Sequence, residues 1–191
     1  MIRAFFAISL PLEFKEEIAR LQDILKKTRA MVKWVRPESV HLTLKFLGQV
    51  AEDIIDPLAE AASVKASQTQ ALILTLKGTG VFPGPKRPRV AWLGLAGDVG
   101  KIIDLQRGIE EAAEKFGFAR EKRKFSLHLT LGRIRSSKGI KEFITELDRL
   151  DPQPLEFMAS EVVLFRSELK PTGAIYTPLK KLPLSGVPTE E

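Results

Sequence analysis

The chain contains no cysteine and no asparagine, and only two histidines, two tryptophans and one tyrosine occur in its 191 residues. Without Cys there is no disulfide framework, no thiolate metal ligand and no cysteine nucleophile, and a reducing compartment is expected. The missing Asn, beside plentiful Lys and Glu, is the bias of a chain that avoids thermolabile side chains and suggests a thermophilic source. No apolar run approaches the roughly 20 residues of a membrane-spanning helix. The opening Met1–Ile8 stretch is short and lacks a small-residue cleavage pattern, so a cytoplasmic protein with no membrane partner is expected. There is no G-x-S-x-G elbow and no GxxxxGK[ST] loop, which disfavours serine-hydrolase chemistry and a phosphate-cradling nucleotide loop.

What is present describes an ordinary globular protein. Hydrophobic residues make up 44% and charged residues 28%, enough for a real core in one domain over residues 1–191, or in two closely packed lobes. Thirty Lys and Arg face 24 Asp and Glu, a formal net charge of +6. That surplus favours a polyanionic partner, although a basic surface also keeps a protein soluble. Basic residues cluster in Lys86-Arg87-Pro88-Arg89, in Arg120-Glu121-Lys122-Arg123-Lys124, and at Arg133 and Arg135.

Hydropathy patterning predicts a strand over residues 2–9 and then a helix opened by Pro11, with Phe14, Ile18, Leu21 and Leu25 at helical spacing, ending near Thr28 or Arg29. Strands follow over residues 31–35 and 40–47, the second closed by Gly48. A helix from about Asp53 to Ala66 precedes strands Ala71–Lys77 and Arg89–Leu95, joined by a Gly/Pro-rich connection that includes Phe82-Pro83-Gly84-Pro85. The second half repeats the order: a helix from about Asp98 to Phe116 stopped by Gly117, a strand, a helix from about Gly139 to Leu150, and two more strands. Lys170-Pro171-Thr172-Gly173 makes the turn into the last of them, Ala174–Leu179.

Both histidines lie in the same tetrapeptide, His41-Leu42-Thr43-Leu44 and His128-Leu129-Thr130-Leu131. Pro11 to His41 and Asp98 to His128 each span 30 positions, so the motifs hold equivalent places in a repeated unit, and two lobes about a pseudo-twofold axis are expected. Strand alternation sends Leu42, Leu44 and Phe46 to the core and His41, Thr43 and Lys45 to the other face. In the second copy Leu127, Leu129 and Leu131 go inward, leaving Ser126, His128, Thr130 and Gly132 opposite. A cleft between the lobes would then be lined by two imidazoles and two hydroxyls. Imidazole exchanges protons near neutral pH, and such a pair suits in-line displacement at phosphorus: one His takes a proton from the attacking oxygen, the other protonates the leaving oxygen, and the hydroxyls donate to the non-bridging oxygens. No H-E-x-x-H or paired-carboxylate spacing accompanies either His, so neither a metal nor another cofactor is expected. Trp34, Phe46, Phe82 and Tyr176 are candidates for stacking a base, against the commoner role of core aromatics.

These motifs resemble the paired H-x-T-hydrophobic signatures of the two-histidine (2H) phosphoesterase superfamily, in particular its bacterial and archaeal RNA 2′,3′-cyclic phosphodiesterase branch, also called 2′-5′ RNA ligase. Arg3–Ile8, Trp34–Gly48, Pro88–Trp92 and Ser167–Tyr176 resemble that branch in the same order. The resemblance implies a bilobal α+β fold with an antiparallel sheet in each lobe, helices on the outer faces and a central cleft. It implies hydrolysis of a 2′,3′-cyclic phosphate to a 2′-phosphate, with 2′-5′ ligation as the reverse chemistry. It makes His41 the proton donor and His128 the proton acceptor, with Thr43 and Thr130 on the phosphate. Arg133 is a further phosphate-binding candidate, provided a bulge near Gly132 turns it towards His128. The implied partners are RNA ends or nucleotides bearing a cyclic phosphate, tRNA fragments among them; a monomer is expected because one chain supplies both halves of the site. The alternative from another class is an RNA-binding module with an inert cleft.

Overall fold

The computed structural model describes residues 1–171 and 173–186, so Thr172 of the expected turn lies outside the described residues. Nine strands and four α-helices follow one another there: β1 Ile2–Ser9, α1 Leu12–Lys26, β2 Val32–Trp34, β3 His41–Val50, α2 Ile55–Gln68, β4 Leu72–Phe82, β5 Val90–Gly97, α3 Val99–Glu114, β6 His128–Ile134, α4 Ile140–Arg149, β7 Glu156–Ala159, β8 Glu161–Lys170 and β9 Gly173–Pro183. All strand pairings within the sheets are antiparallel. One sheet has the order β3-β1-β8-β9, the other β2-β6-β5-β4-β7. The chain is an α+β protein of two lobes, as the family resemblance implies and the repeated unit leads one to expect. Among the described residues no helix is long and apolar enough to cross a membrane.

Each helix turns an apolar stripe inward. In α1 the buried positions Phe14, Ile18, Leu21 and Leu25 recur every three or four residues, and burying each such side chain is worth about 1.5–3 kcal/mol. This helix packs on the second sheet: Phe14 meets the Phe157 ring of β7 edge-on at 4.8 Å, and α1 also touches α4. Helices α2 and α3 pack on the first sheet, against β8, β9 and β3.

The lobes are not the two halves of the sequence. Strand β4, which ends the first repeat, lies in the second sheet beside β5, while β8 of the second repeat lies in the first sheet beside β1. Helices exchange likewise, α1 crossing to the second sheet and α3 to the first. One continuous apolar core runs through both lobes.

Several expectations need correction. Helix α1 stops at Lys26: the chain then tightens into three-residue hydrogen bonds, Thr28 N–H to the Leu25 carbonyl and Arg29 N–H to the Lys26 carbonyl, and Arg29 turns left-handed (φ 57°) to leave the helix. Gly48 does not close β3: at φ 75° it sits within a strand that continues to Val50. Strand β4 runs past Lys77 to Phe82, and the additional strand β7, short and only partly buried, gives little sequence signal.

The alternation along β3 also fails after Thr43. Phe6 pairs with Lys45 and Ala7 with Thr43, so Leu44 is an extra, bulged residue. A bulge shifts the pattern by one, and Lys45 becomes buried (5% exposed) while Phe46 emerges at 61%. The second motif bulges at the same place: Trp92 pairs with Thr130 and Ala91 with Gly132, leaving Leu131 extra. Gly132 therefore faces the core, where a Cβ would lie 2.5 Å from Val32 Cγ1, and Arg133 faces outward with His128 and Thr130.

Candidate active site

The two histidines are held in matching ways. His41 Nδ1 is 2.8 Å from the Ser39 carbonyl oxygen and His128 Nδ1 is 2.9 Å from that of Ser126, two residues back in each case. A carbonyl only accepts, so each Nδ1 carries the proton and each Nε2 is left with its lone pair. Each ring also meets one aromatic edge-on: His41 with Tyr176 at 5.1 Å, His128 with Phe82 at 5.0 Å, both at 86°. The repeated signal in the sequence is thus a hexapeptide, Ser39–Leu44 and Ser126–Leu131, differing only at Val40 and Leu127.

Strands β3 and β6, one from each sheet, approach one another across the lobe junction. Tyr176 ties the two sides together. Its ring rests against His41, while the positive charges of Arg3 and Arg133 act on its phenol and oppose the upward pKa shift that burial imposes. Arg133 of the second sheet therefore faces the cleft that His41 faces from the first. The Thr43 and Thr130 hydroxyls, two residues beyond each His, make no hydrogen bond within the protein among the described residues.

His41 is also packed face-on by an aromatic ring. The His41 ring stacks on Phe5 at 4.7 Å, with Phe165 at 6.5 Å, and this desolvation pushes its pKa down to about 4 against the opposing pull of the Ser39 carbonyl. A pocket of about 150 Å³ opens beside it, lined by residues that include Lys15, Glu38, Phe165 and Tyr176. Of the stacking candidates, Trp34 packs into the core 6.2 Å from Phe143 and is not available. Tyr176 and Phe82 stand beside the histidines, and the bulge brings Phe46 out, 5.7 Å from Phe5.

Sequence reasoning passed over the groups that hold the bulges. Gln22 of α1, 1% exposed, donates from Nε2 to the carbonyl of Leu131 at 2.9 Å and to that of Val35 at 2.7 Å. Gln106 of α3 donates to the Leu44 carbonyl at 3.3 Å. Each helix thus braces the fourth residue of the other repeat's motif. The available signal was a polar residue interrupting an apolar stripe: Gln22 follows Ile18, and Gln106 follows Ile102, by four. Beneath β3, Lys45 Nζ is 2.6 Å from Glu110 Oε2 and also donates to the Ala119 carbonyl, a buried pair joining β3 to α3 and the basic loop. Among the described residues Trp92, across from Thr130, has no acceptor for its buried indole N–H.

Among the described residues no three His, Asp or Glu side chains are grouped to hold a metal ion. The arrangement presents proton acceptors, hydroxyl donors and a guanidinium, a set suited to an anionic phosphorus centre.

The family model described as LigT like Phosphoesterase matches the chain twice, over residues 8–92 and 93–176. The chain is similar to the RNA 2′,3′-cyclic phosphodiesterase of Methanothermobacter thermautotrophicus, with 36% identity over 182 residues, 94% of this chain and 97% of that protein. Its fold is similar to that of TT0787 of Thermus thermophilus, with a TM-score of 0.80 and 28% identity, covering 97% of this chain and 99% of that one. It is also similar to E. coli LigT complexed with 3′-AMP, with a TM-score of 0.75 and 28% identity, covering 96% and 98%.

Proposed function

Because the chain belongs to the LigT-like phosphoesterase family, we propose that it hydrolyses 2′,3′-cyclic phosphate ends of RNA to 2′-phosphates, with His41 and His128 as acid and base. The observation that carries the reading is the matched pair of imidazoles, each with Nδ1–H fixed on a carbonyl and Nε2 free. His128 takes a proton from water as the water oxygen bonds to phosphorus. The bond from phosphorus to the 3′ oxygen breaks, and His41 protonates that oxygen. Thr43, Thr130 and Arg133 donate to the non-bridging oxygens.

The low pKa of His41 bears on its role. In the free protein the ring is neutral; an anionic phosphate beside it favours the protonated form, so substrate brings the charge that lets His41 act as a donor. An imidazolium formed in so apolar a setting gives up its proton readily. Since one chain carries both motifs, a monomer suffices, and the absence of Cys fits a cytoplasmic setting.

The test is turnover of a nucleoside 2′,3′-cyclic phosphate in EDTA. Wild type should release the 2′-phosphate, and His41→Gln and His128→Gln should each lose at least about 10²–10⁴-fold. Full activity in either variant, or loss of wild-type activity with EDTA, would refute the assignment.

A further inference from the structure

The exposed face of the second sheet carries a row of cations, of which only Arg133 has a part in the proposed reaction. Lys33 of β2 pairs directly with Arg133 of β6, and both are exposed. Their neighbours Val32, Trp34 and Ile134 pack on the core, so Lys33 and Arg133 share the opposite face, the one that carries His128 and Thr130. Arg135, two residues past Arg133 and also exposed, continues the row beyond the strand.

Like charges directly opposed across an antiparallel pair are destabilising. Among the described residues none of the three forms an ion pair. A lysine on an edge strand can be explained as a guard against strand pairing, and β2 is the edge of its sheet. That reason covers Lys33 alone. It does not explain a second cation opposite it on an interior strand, nor a third in line with both.

The row is linear and leads away from the reacting groups. From Thr130 the outward positions are Arg133 and then Arg135, the last two about 7 Å apart along the chain, with Lys33 alongside. A lone anion would call for converging donors. A file of separated charges starting beside a phosphate site suits a strand with one phosphate per nucleotide.

We propose that Lys33 and Arg135, with Arg133 between them and the histidines, form a track for the ribose-phosphate backbone on the 5′ side of the cyclic end. This rests on the function proposed above and adds a preference for oligonucleotides over mononucleotides.

The test compares uridine 2′,3′-cyclic phosphate with an RNA tetranucleotide ending in a 2′,3′-cyclic phosphate, in wild type and the Lys33→Gln/Arg135→Gln double variant, between 50 and 200 mM KCl. For wild type, log kcat/KM against log salt should fall more steeply for the tetranucleotide, by about 1.4 for two added single-strand phosphate contacts. The double variant should lose that difference and turn over the mononucleotide as before. An unchanged tetranucleotide preference, or a parallel fall in both rates, would overturn the track. Binding of a 5′-fluorescein tetranucleotide ending in a 3′-phosphate, read by anisotropy, is independent of turnover. If wild type hydrolyses neither substrate, the function fails; weaker binding by the double variant would still support the track, and equal binding would reject it.

Discussion

His41 shows the cleft only part of its ring, and the aromatic rings of Phe5, Phe165 and Tyr176 replace water around the rest. That placement links it to stability as well as to chemistry. The unfolded imidazole takes up a proton near its ordinary pKa of 6.5, whereas the folded one, pushed down to about 4, does not. The unfolded state therefore binds more protons between these values, and stability falls as pH drops through that window and levels off below it. From pH 7 to pH 5 the cost is about 2 kcal/mol. Urea denaturation at the two pH values should show this loss in wild type and a smaller one in His41→Gln. An equal loss in both would mean that burial does not hold the ring neutral. The two motifs and their threonines were legible at this scale because alternation from His to Thr spans only three residues. The aromatic enclosure of the His41 ring depends on Phe5 and Phe165, which come from strands distant in sequence.

The bulges at Leu44 and Leu131 decide what lies beyond the threonines. Alternation alone sends Lys45 to the cleft and Phe46 to the core, and the extra residue reverses both. No local sequence signal marks these bulges, since their support comes from Gln106 and Gln22 on helices packed from the other repeat. Displacing reacting groups by about 1 Å can cost 10²-fold. Gln22→Leu and Gln106→Leu should therefore each lower kcat by roughly 10–100-fold with KM changed far less. Steady-state kinetics on a cyclic nucleotide decides this, and unchanged kcat would show that the carbonyls need no brace. The reversed Lys45 makes a second test. Lys45→Met leaves Glu110 buried without its cation and should cost about 3–5 kcal/mol in urea denaturation, while Lys45→Met/Glu110→Leu should recover much of it. If the single and double variants were equally unstable, packing rather than charge would be the cause.

Element order and the twofold repetition were readable from periodicity and from the spacing of the histidines. The sharing of strands and helices between lobes was not, because hydrophobic stripes record that a face is buried without recording which partner covers it. With β4 and β8 exchanged, each sheet takes strands from both repeats.

That exchange gives the molecule the architecture of an intertwined dimer whose two subunits happen to be joined by a peptide bond. Severing the chain in the connection before Val90 should yield two pieces, each lacking strands of its own sheet and neither unfolding cooperatively alone. Mixed in equal amounts they should reassemble and recover cyclic-phosphate turnover, a complementation measurable by activity and circular dichroism. A piece that folded by itself would show that a repeat can close its own sheet without its counterpart.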